Sequence, residues 1–401
     1  MAFRIGLSGL NAASTDLSVT ADNIANSNTN GFKQLRTEFS DVVAKSIAGS
    51  NLAGDGVQLS TISQEFDQGN VIFTGNPLDL AISGPGFFRV SDGGGIAYAR
   101  AGSFNTDRDG FIVNPAGQRL TGFGSDANGN IGGTLTELQI DTADVSPQPT
   151  AAINLGANLD ATVTAIAPTV TFDPNNPATF HDAAPLTFFD SLGSPHTATL
   201  FFRKTADNQW ENYLTVDGSQ IGTATTLTFD TSGALTAPVS GQITSALFPL
   251  AGAADQQLTI DINQVTQFGN QFNVNLLTQD GFASGQLAGV EVEGDGILFA
   301  RYTNGESRAL GQVALANFTS EQGLKRVGEG NWTETLASGQ PLIGSPGTGR
   351  LGVVQSGAIE ESNVELTAQL VNVINSQRNF QANAQVITAS DQLTQTILNI
   401  G

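Results

Sequence analysis

The sequence predicts a mainly β protein with terminal α-helices: two nested β domains inserted between N- and C-terminal helices that can pair as a coiled coil. Three observations predict it. Apolar residues recur at a four-three spacing at both ends of the chain. From Val71 onward the period becomes two, and turns rich in Gly, Pro and Asn become frequent. Only 13% of residues are charged, while Gly, Thr, Asn and Ser are plentiful, a mixture that suits short strands and many turns.

The N-terminal helix is read from Phe3, Leu7, Leu10, Ser14, Leu17, Ala21 and Ile24, with no Pro before Pro77. Gly6 and Gly9 weaken its first turns, so it is marginal in isolation. Asn28-Thr29-Asn30-Gly31 suits a left-handed cap and stops it. Residues 32–70 read as an irregular connecting segment, with Phe39, Val42, Val43 and Ile47 as its helix-like spacing. Residues 71–144 plus 284–357 form the first β domain, marked by turns such as Gly84-Pro85-Gly86, Asp92-Gly93-Gly94-Gly95 and Asp109-Gly110. Val145-Ser146-Pro147-Gln148-Pro149 opens an inserted outer β domain, 145–283, with strands at 186–189, 198–202, 210–216 and 226–229. Residues 1–31 and 358–401 then meet as a terminal helical domain.

The last stretch carries the strongest pattern. No Gly or Pro falls between Ala358 and Ile400. Ser362-Asn363-Val364-Glu365 reads as a capping box. Leu366, Leu370, Val373, Gln377, Phe380, Ala384, Ile387, Asp391, Thr394 and Leu398 follow as one seam, with Ile374 beside it. Its surface carries only Glu365, Arg378 and Asp391 as charges, amid many Asn and Gln. A helix facing bulk water carries charged pairs, so this one expects other chains around it. The candidate subunit-interface residues are therefore Phe3, Leu7, Leu10, Leu17, Ile24, Leu366, Leu370, Val373, Ile374, Phe380, Ile387 and Leu398.

Composition excludes several functions. A net charge of −21 argues against nucleic acid and anionic membrane surfaces. The absence of cysteine removes disulfides, thiolate chemistry and Cys-ligated metals. The first residues lack a signal-peptide run, and no stretch approaches the ~20 apolar residues of a membrane span. These features alone point to the cytoplasm, without excluding export by a route that uses no cleaved signal.

No enzymatic or cofactor motif survives inspection. Gly347-Thr348-Gly349-Arg350-Leu351-Gly352 has dinucleotide-fingerprint spacing, but Gly344-Ser345-Pro346 precedes it and no helix start follows. Asn105, Asp107, Asp109 and Gly110 imitate a calcium loop whose twelfth position is Ala116. Asp126, Asn128, Asn130 and Glu137 imitate another with Ile131 where Gly is needed. His181 and His196 sit beside turn residues and read as exposed loop histidines. Trp210 and Trp332 read as core residues of the two β domains. No catalytic, metal-binding or cofactor-binding residue is nominated, and the protein is expected not to be an enzyme.

Three segments resemble the axial family of bacterial flagellar rod and hook proteins. The first runs Ser8-Gly9-Leu10-Asn11-Ala12-Ala13, then Asn23-Ile24-Ala25-Asn26-Ser27-Asn28-Thr29-Asn30-Gly31-Phe32-Lys33. The second is Gly75-Asn76-Pro77-Leu78-Asp79-Leu80-Ala81-Ile82-Ser83-Gly84-Pro85-Gly86-Phe87-Phe88. The third joins Ser362-Asn363-Val364-Glu365-Leu366, Leu370-Val371-Asn372 and Gln377-Arg378-Asn379-Phe380-Gln381-Ala382-Asn383-Ala384-Gln385. The inserted region resembles the outer domain of hook subunits more loosely, as in Thr187-Phe188-Phe189-Asp190-Ser191-Leu192-Gly193. So large an insertion favours the hook branch over the rod branch.

The resemblance implies a structural subunit that polymerises into a flexible tubular universal joint. Such a joint passes motor torque from rod to filament and lets export substrates through its channel. It implies terminal helices that are unfolded in the free subunit and form a coiled-coil inner tube on assembly, and type III export without a cleaved signal, so an extracellular location in the flagellar hook and basal body. The implied partners are further copies, the distal rod protein, the hook cap, the hook-length control protein, the hook–filament junction protein and the export apparatus. Nucleic acid, membrane insertion and cofactors are not implied. The alternatives are a distal rod subunit or, from another class, a secreted calcium-stabilised β-rich adhesin.

Overall fold

The computed structural model describes residues 2–42, 54–126, 129–167 and 169–400, without the side chains of residues 2 and 397–400. Contacts divide the chain into two compact units. Unit 1 comprises Met1–Thr142, Gly289–Arg301 and Ser307–Gly401, and unit 2 comprises Ala143–Ala288 with Tyr302–Glu306.

Two helices stand at the ends of unit 1. Helix α1 spans Ala2–Ala25. It closes in a turn ending at Gly31, whose φ of 67° is left-handed. A Cβ on Gly31 would lie 2.4 Å from the Ala101 backbone nitrogen, so both conformation and space demand glycine there.

The connecting segment is the first correction. Among the described residues of 32–70, β1 (Leu35–Asp41) pairs antiparallel with β2 (Val57–Gln64), from Leu35 opposite Gln64 to Asp41 opposite Val57. A bulge between Glu38 and Phe39 breaks the register, and exposed Ser, Thr and Gln fill much of β2. That combination hid the alternation from which a strand is read. Phe39 is a strand residue, so its helical spacing to Val42 is accidental; Val43 and Ile47 lie outside the described residues.

Helix α2 spans Leu366–Ile400. The capping box expected at its start does not form. Ser362 Oγ accepts from the Val364 amide at 3.3 Å, and Glu365 stands at the cap, its carbonyl accepting from the Gln369 amide at 3.0 Å. Asn363 is the reason. Its Oδ1 accepts from the Gln34 amide at 2.7 Å, and its Nδ2 donates to the Glu65 and Asp67 carbonyls at 2.8 and 3.0 Å. These bonds hold residues 362–365 against the chain that leaves the other helix, which delays the first turn.

Most of the remaining unit 1 is one 13-stranded sheet. At its centre Arg119–Ser125, Phe87–Asp92, Gly95–Ala99 and Asn331–Thr333 lie side by side. Phe87, Tyr98, Phe318 and Trp332 are buried on it, and Phe66, just past β2, packs on Phe87 and Trp332 with ring centroids 5.7 Å from each. The Trp332 indole donates to Gln64 Oε1 at 2.6 Å, so the end of β2 is pinned to the core by a buried hydrogen bond.

Unit 2 is a sandwich of two five-stranded sheets. One is a meander of Asp182–Phe189, Pro195–Ala206, Gln209–Val216, Ser219–Phe229 and Leu235–Ala237. The other is built around Ala152–Asp160, which pairs parallel with Thr259–Asp261 and Thr266–Phe268 and antiparallel with Asn273–Gln279. Ile153, Leu155, Phe188, Phe202, Trp210 and Ile260 share one core between the sheets. The Trp210 indole crosses it to donate to Gln267 Oε1 at 2.8 Å. The ingoing and outgoing strands lie together, Val145 bridging Gly285 and Gln148 bridging Phe282.

Candidate assembly interface

The two terminal helices run antiparallel, and the contacts between them repeat every seven residues. Gly9 lies against Asn383, Asp16 against Ser376, and Asn23 against Gln369. A Cβ on Gly9 would sit 2.3 Å from Asn383 Oδ1, so this glycine, read from sequence as a weakness, lets the helices approach. Asp16 accepts from the Ser376 hydroxyl on α2 and from the Thr37 hydroxyl on β1. Asn23, 1% exposed, accepts from the Leu35 amide at 2.9 Å and donates to the Leu35 carbonyl at 2.8 Å and to Gln369 Oε1 at 3.3 Å. The helices thus meet through a three-rung polar ladder that fixes register, in the manner of buried polar residues in coiled coils.

The apolar row read from sequence lies one step round each helix from the ladder and is largely uncovered in the single chain. Phe3, Leu7, Leu366, Leu370, Ile374 and Phe380 are all exposed, Leu370 by 55%. Leu10, Leu17, Ile24, Val373 and Ile387 are half-buried, Ile387 lying against Gly6. Leu398 continues the helix, but its side chain lies outside the described residues.

Below the helices is a buried charge cluster that the sequence reading missed. Glu360 is fully buried; its Oε1 accepts from Lys33 Nζ at 2.7 Å and from the Gly69 amide at 2.9 Å, and its Oε2 accepts from Arg100 Nε at 2.7 Å. Lys33 Nζ also donates to the Asp67 carbonyl at 2.7 Å. Arg100 donates to the carbonyls of Ile82, Gly84 and Gly86, closing the Gly84-Pro85-Gly86 loop around its guanidinium. Burial lowers the Lys33 pKa, and the Glu360 carboxylate opposes that shift. Its members are far apart in sequence and carry no spacing signature, so no local pattern could have found them.

The comparisons with known proteins agree over the whole chain. It is 37% identical to the flagellar hook protein FlgE of Escherichia coli over 412 residues, covering 100% of both chains. The hook protein of Salmonella typhimurium is 36% identical with 100% coverage of both, and that of Borreliella burgdorferi 33% identical with 98% of both. The chain belongs to the flagellar hook protein FlgE family. It is a structural subunit of the hook.

Family models match in four places: the flagella basal body rod protein over 3–33, the FlgE/F/G D1 domain over 81–164, the FlaE D2 domain over 158–282 and the FlgEFG C-terminal model over 355–400. The solved flagellar hook protein FlgE2 of Helicobacter pylori shares the fold, with a TM-score of 0.53 at 13% identity, covering 71% of this chain and 99% of that one. Lys33, Arg100 and Glu360 fall one each in the first, second and last of the family matches. Three of the four family matches therefore converge on one buried carboxylate.

Other candidate positions take structural roles in this hook-family chain. The Gly347–Gly352 stretch is a turn leading into the strand Val353–Ser356, where a dinucleotide site would need a helix. Asp107 Oδ1 accepts from the Asp109 and Phe111 amides, tying a hairpin turn. The histidines are a further correction, since neither is a free loop residue. His181 bridges the Thr164 carbonyl and the Lys204 amide. His196 opens the strand Pro195–Ala206, with Nδ1 2.7 Å from Asp217 Oδ2 and Nε2 3.4 Å from Asp190 Oδ2. The Asp217 hydrogen bond chiefly raises its pKa, burial opposing. Asp190 and Asp217 follow directly on the ends of the two strands that flank its own, which brings them beside it and which sequence order conceals.

Proposed function

We propose that the exposed apolar rows of α1 and α2 are the surfaces through which further copies of this chain assemble into the inner wall of a tube. The supporting observation is the division of labour on each helix. Polar and small residues make the contact within the chain, and Phe3, Leu7, Leu366, Leu370, Ile374 and Phe380 are left to water. Water-exposed apolar rows of this length on sparsely charged helices are satisfied by burial against neighbours. Leu10, Leu17, Ile24, Val373, Ile387 and Leu398 complete the same rows.

In this reading the β units form outer shells, whose polar, Gly- and Asn-rich surfaces slide as a rotating bent tube shortens and lengthens each row of subunits. The result is a universal joint that transmits torque from rod to filament. The amide-rich faces of α2, with Asn372, Asn375 and Asn379, line a channel that neither attracts nor repels unfolded cargo. The subunit leaves the cell through the flagellar export apparatus without a cleaved signal. Its partners beyond itself are the distal rod protein, hook cap, hook-length control protein and hook–filament junction protein. No helix among the described residues is long and apolar enough to cross a membrane.

The test is Leu370→Gln with Ile374→Gln. The monomer should unfold at the same denaturant concentration as wild type, because both side chains are already exposed, yet form no tubes by electron microscopy. Wild-type-like tubes from this variant would overturn the assignment of these rows.

A further inference from the structure

We infer that the Lys33–Glu360–Arg100 cluster is a positioning device that fixes how the two terminal helices leave the β part of unit 1. The geometry makes Glu360 a three-way junction. Through Lys33 it holds the segment that follows α1, through its own chain the segment that precedes α2, and through Arg100 the Gly84–Gly86 loop. Backbone bonds stitch the same place: the Gly31 amide donates to the Glu360 carbonyl at 2.8 Å, and the Glu361 amide to the Asn70 carbonyl at 2.8 Å. Side chains of 1%, 0% and 5% exposure exclude water from the cluster.

A buried ion pair is a poor choice for stability alone, since well-packed apolar residues of similar volume commonly do as well or better. Ionic clusters specify geometry instead, because an ion moved off its partner is left desolvated and unpaired. Apolar side chains slide past one another with little penalty; this junction does not. Lys33 serves the α1 arm and Arg100 the loop arm, so each arm's side-chain holder can be removed by itself. The inference deepens the hook-subunit reading, because the angles at which α1 and α2 leave the β part are angles that a tube lattice repeats in every copy.

The experiment is hydrogen exchange on the full-length monomer, paired with electron microscopy of its tubes. Lys33→Met removes the α1 arm and leaves Glu360 and Arg100 as a one-to-one pair. It should speed exchange at the Gly31 and Gln34 amides by about tenfold or more while the Glu361 amide stays protected. Arg100→Gln should do the reverse, exposing the Gly84 and Gly352 amides and sparing Gly31. Glu360→Gln should release all arms; if it fails to fold, the two one-sided variants still decide the matter.

Tubes of Lys33→Met should differ from wild type in helical pitch or curvature. Uniform acceleration throughout unit 1, or none, would overturn the positioning role, as would one-sided release with tubes of unchanged form. The exchange pattern is read on monomer, so wild-type chains that form no tubes would count against the polymer reading and not against the junction.

Discussion

Replacing Asn23 with leucine tests whether the polar ladder sets the register of the helices. Leucine has the same branched heavy-atom outline, so the change removes the hydrogen bonds and opens no cavity. Three buried groups lose their partner: the Leu35 amide, the Leu35 carbonyl and Gln369 Oε1. An orphaned buried polar group costs about 1–3 kcal/mol, so the low end for each gives about 3 kcal/mol. At about 1.4 kcal/mol per decade that is roughly a hundredfold in the local opening constant. Hydrogen exchange read at Leu35 and along the first turns of α2 should accelerate by that factor. Asn23→Asp keeps an acceptor for the Leu35 amide but loses both donated bonds and turns a buried carboxylate toward the Leu35 carbonyl and Gln369 Oε1, so it should accelerate exchange by about thirtyfold or more. Exchange of Asn23→Leu within about threefold of wild type would refute the ladder as the register device. Equal acceleration at Ile153 in unit 2 would refute it too, since the effect would then be global.

Two further outcomes concern unit 2. Asp190 and Asp217 have pKa values below the carboxylate value of 3.8; burial opposes this, and backbone amides with His196 outweigh it, while His196 is raised above 6.5. The carboxylate contribution is thus present above pH 3.8 and lost as pH falls through the depressed values; the histidine contribution is present below 6.5 and lost as pH rises through its raised value. Unfolding of unit 2 followed against pH should weaken at both edges of that window, and His196→Gln should abolish the upper edge. Trp210→Phe should destabilise unit 2 by about 2–4 kcal/mol in denaturant titration, through lost volume and an orphaned Gln267 Oε1, with Leu35 exchange unchanged.

What was legible in the sequence was whatever local chemistry dictates. The absence of Gly and Pro from Ala358 to Ile400 and the turn at Gly31 gave both helices, and period-two runs gave the strands of unit 2. What was hidden depends on distant partners. β1 and β2 are mostly polar and bulged, so they pair because Thr37 finds Asp16 and Gln64 finds Trp332. The capping box lost to tertiary bonds at Asn363. Apolar spacing marked rows that the single chain leaves largely exposed, and nothing local marked Gly9, Asp16 and Asn23 as the residues that join the two helices. No local pattern predicts that Lys33, Arg100 and Glu360 meet.

The bridges Val145 to Gly285 and Gln148 to Phe282 have a consequence for how this chain can be rebuilt. Backbone positions that pair across two strands lie about 5 Å apart, a gap that a short turn spans. Residues 149–281 therefore leave and rejoin the chain at nearly one point, like a drawer that slides out of a cabinet without disturbing the frame. Such a module is free to be enlarged, trimmed or exchanged while the helices and the charge junction stay as they are. A reporter domain whose own termini lie close together should fit the same opening.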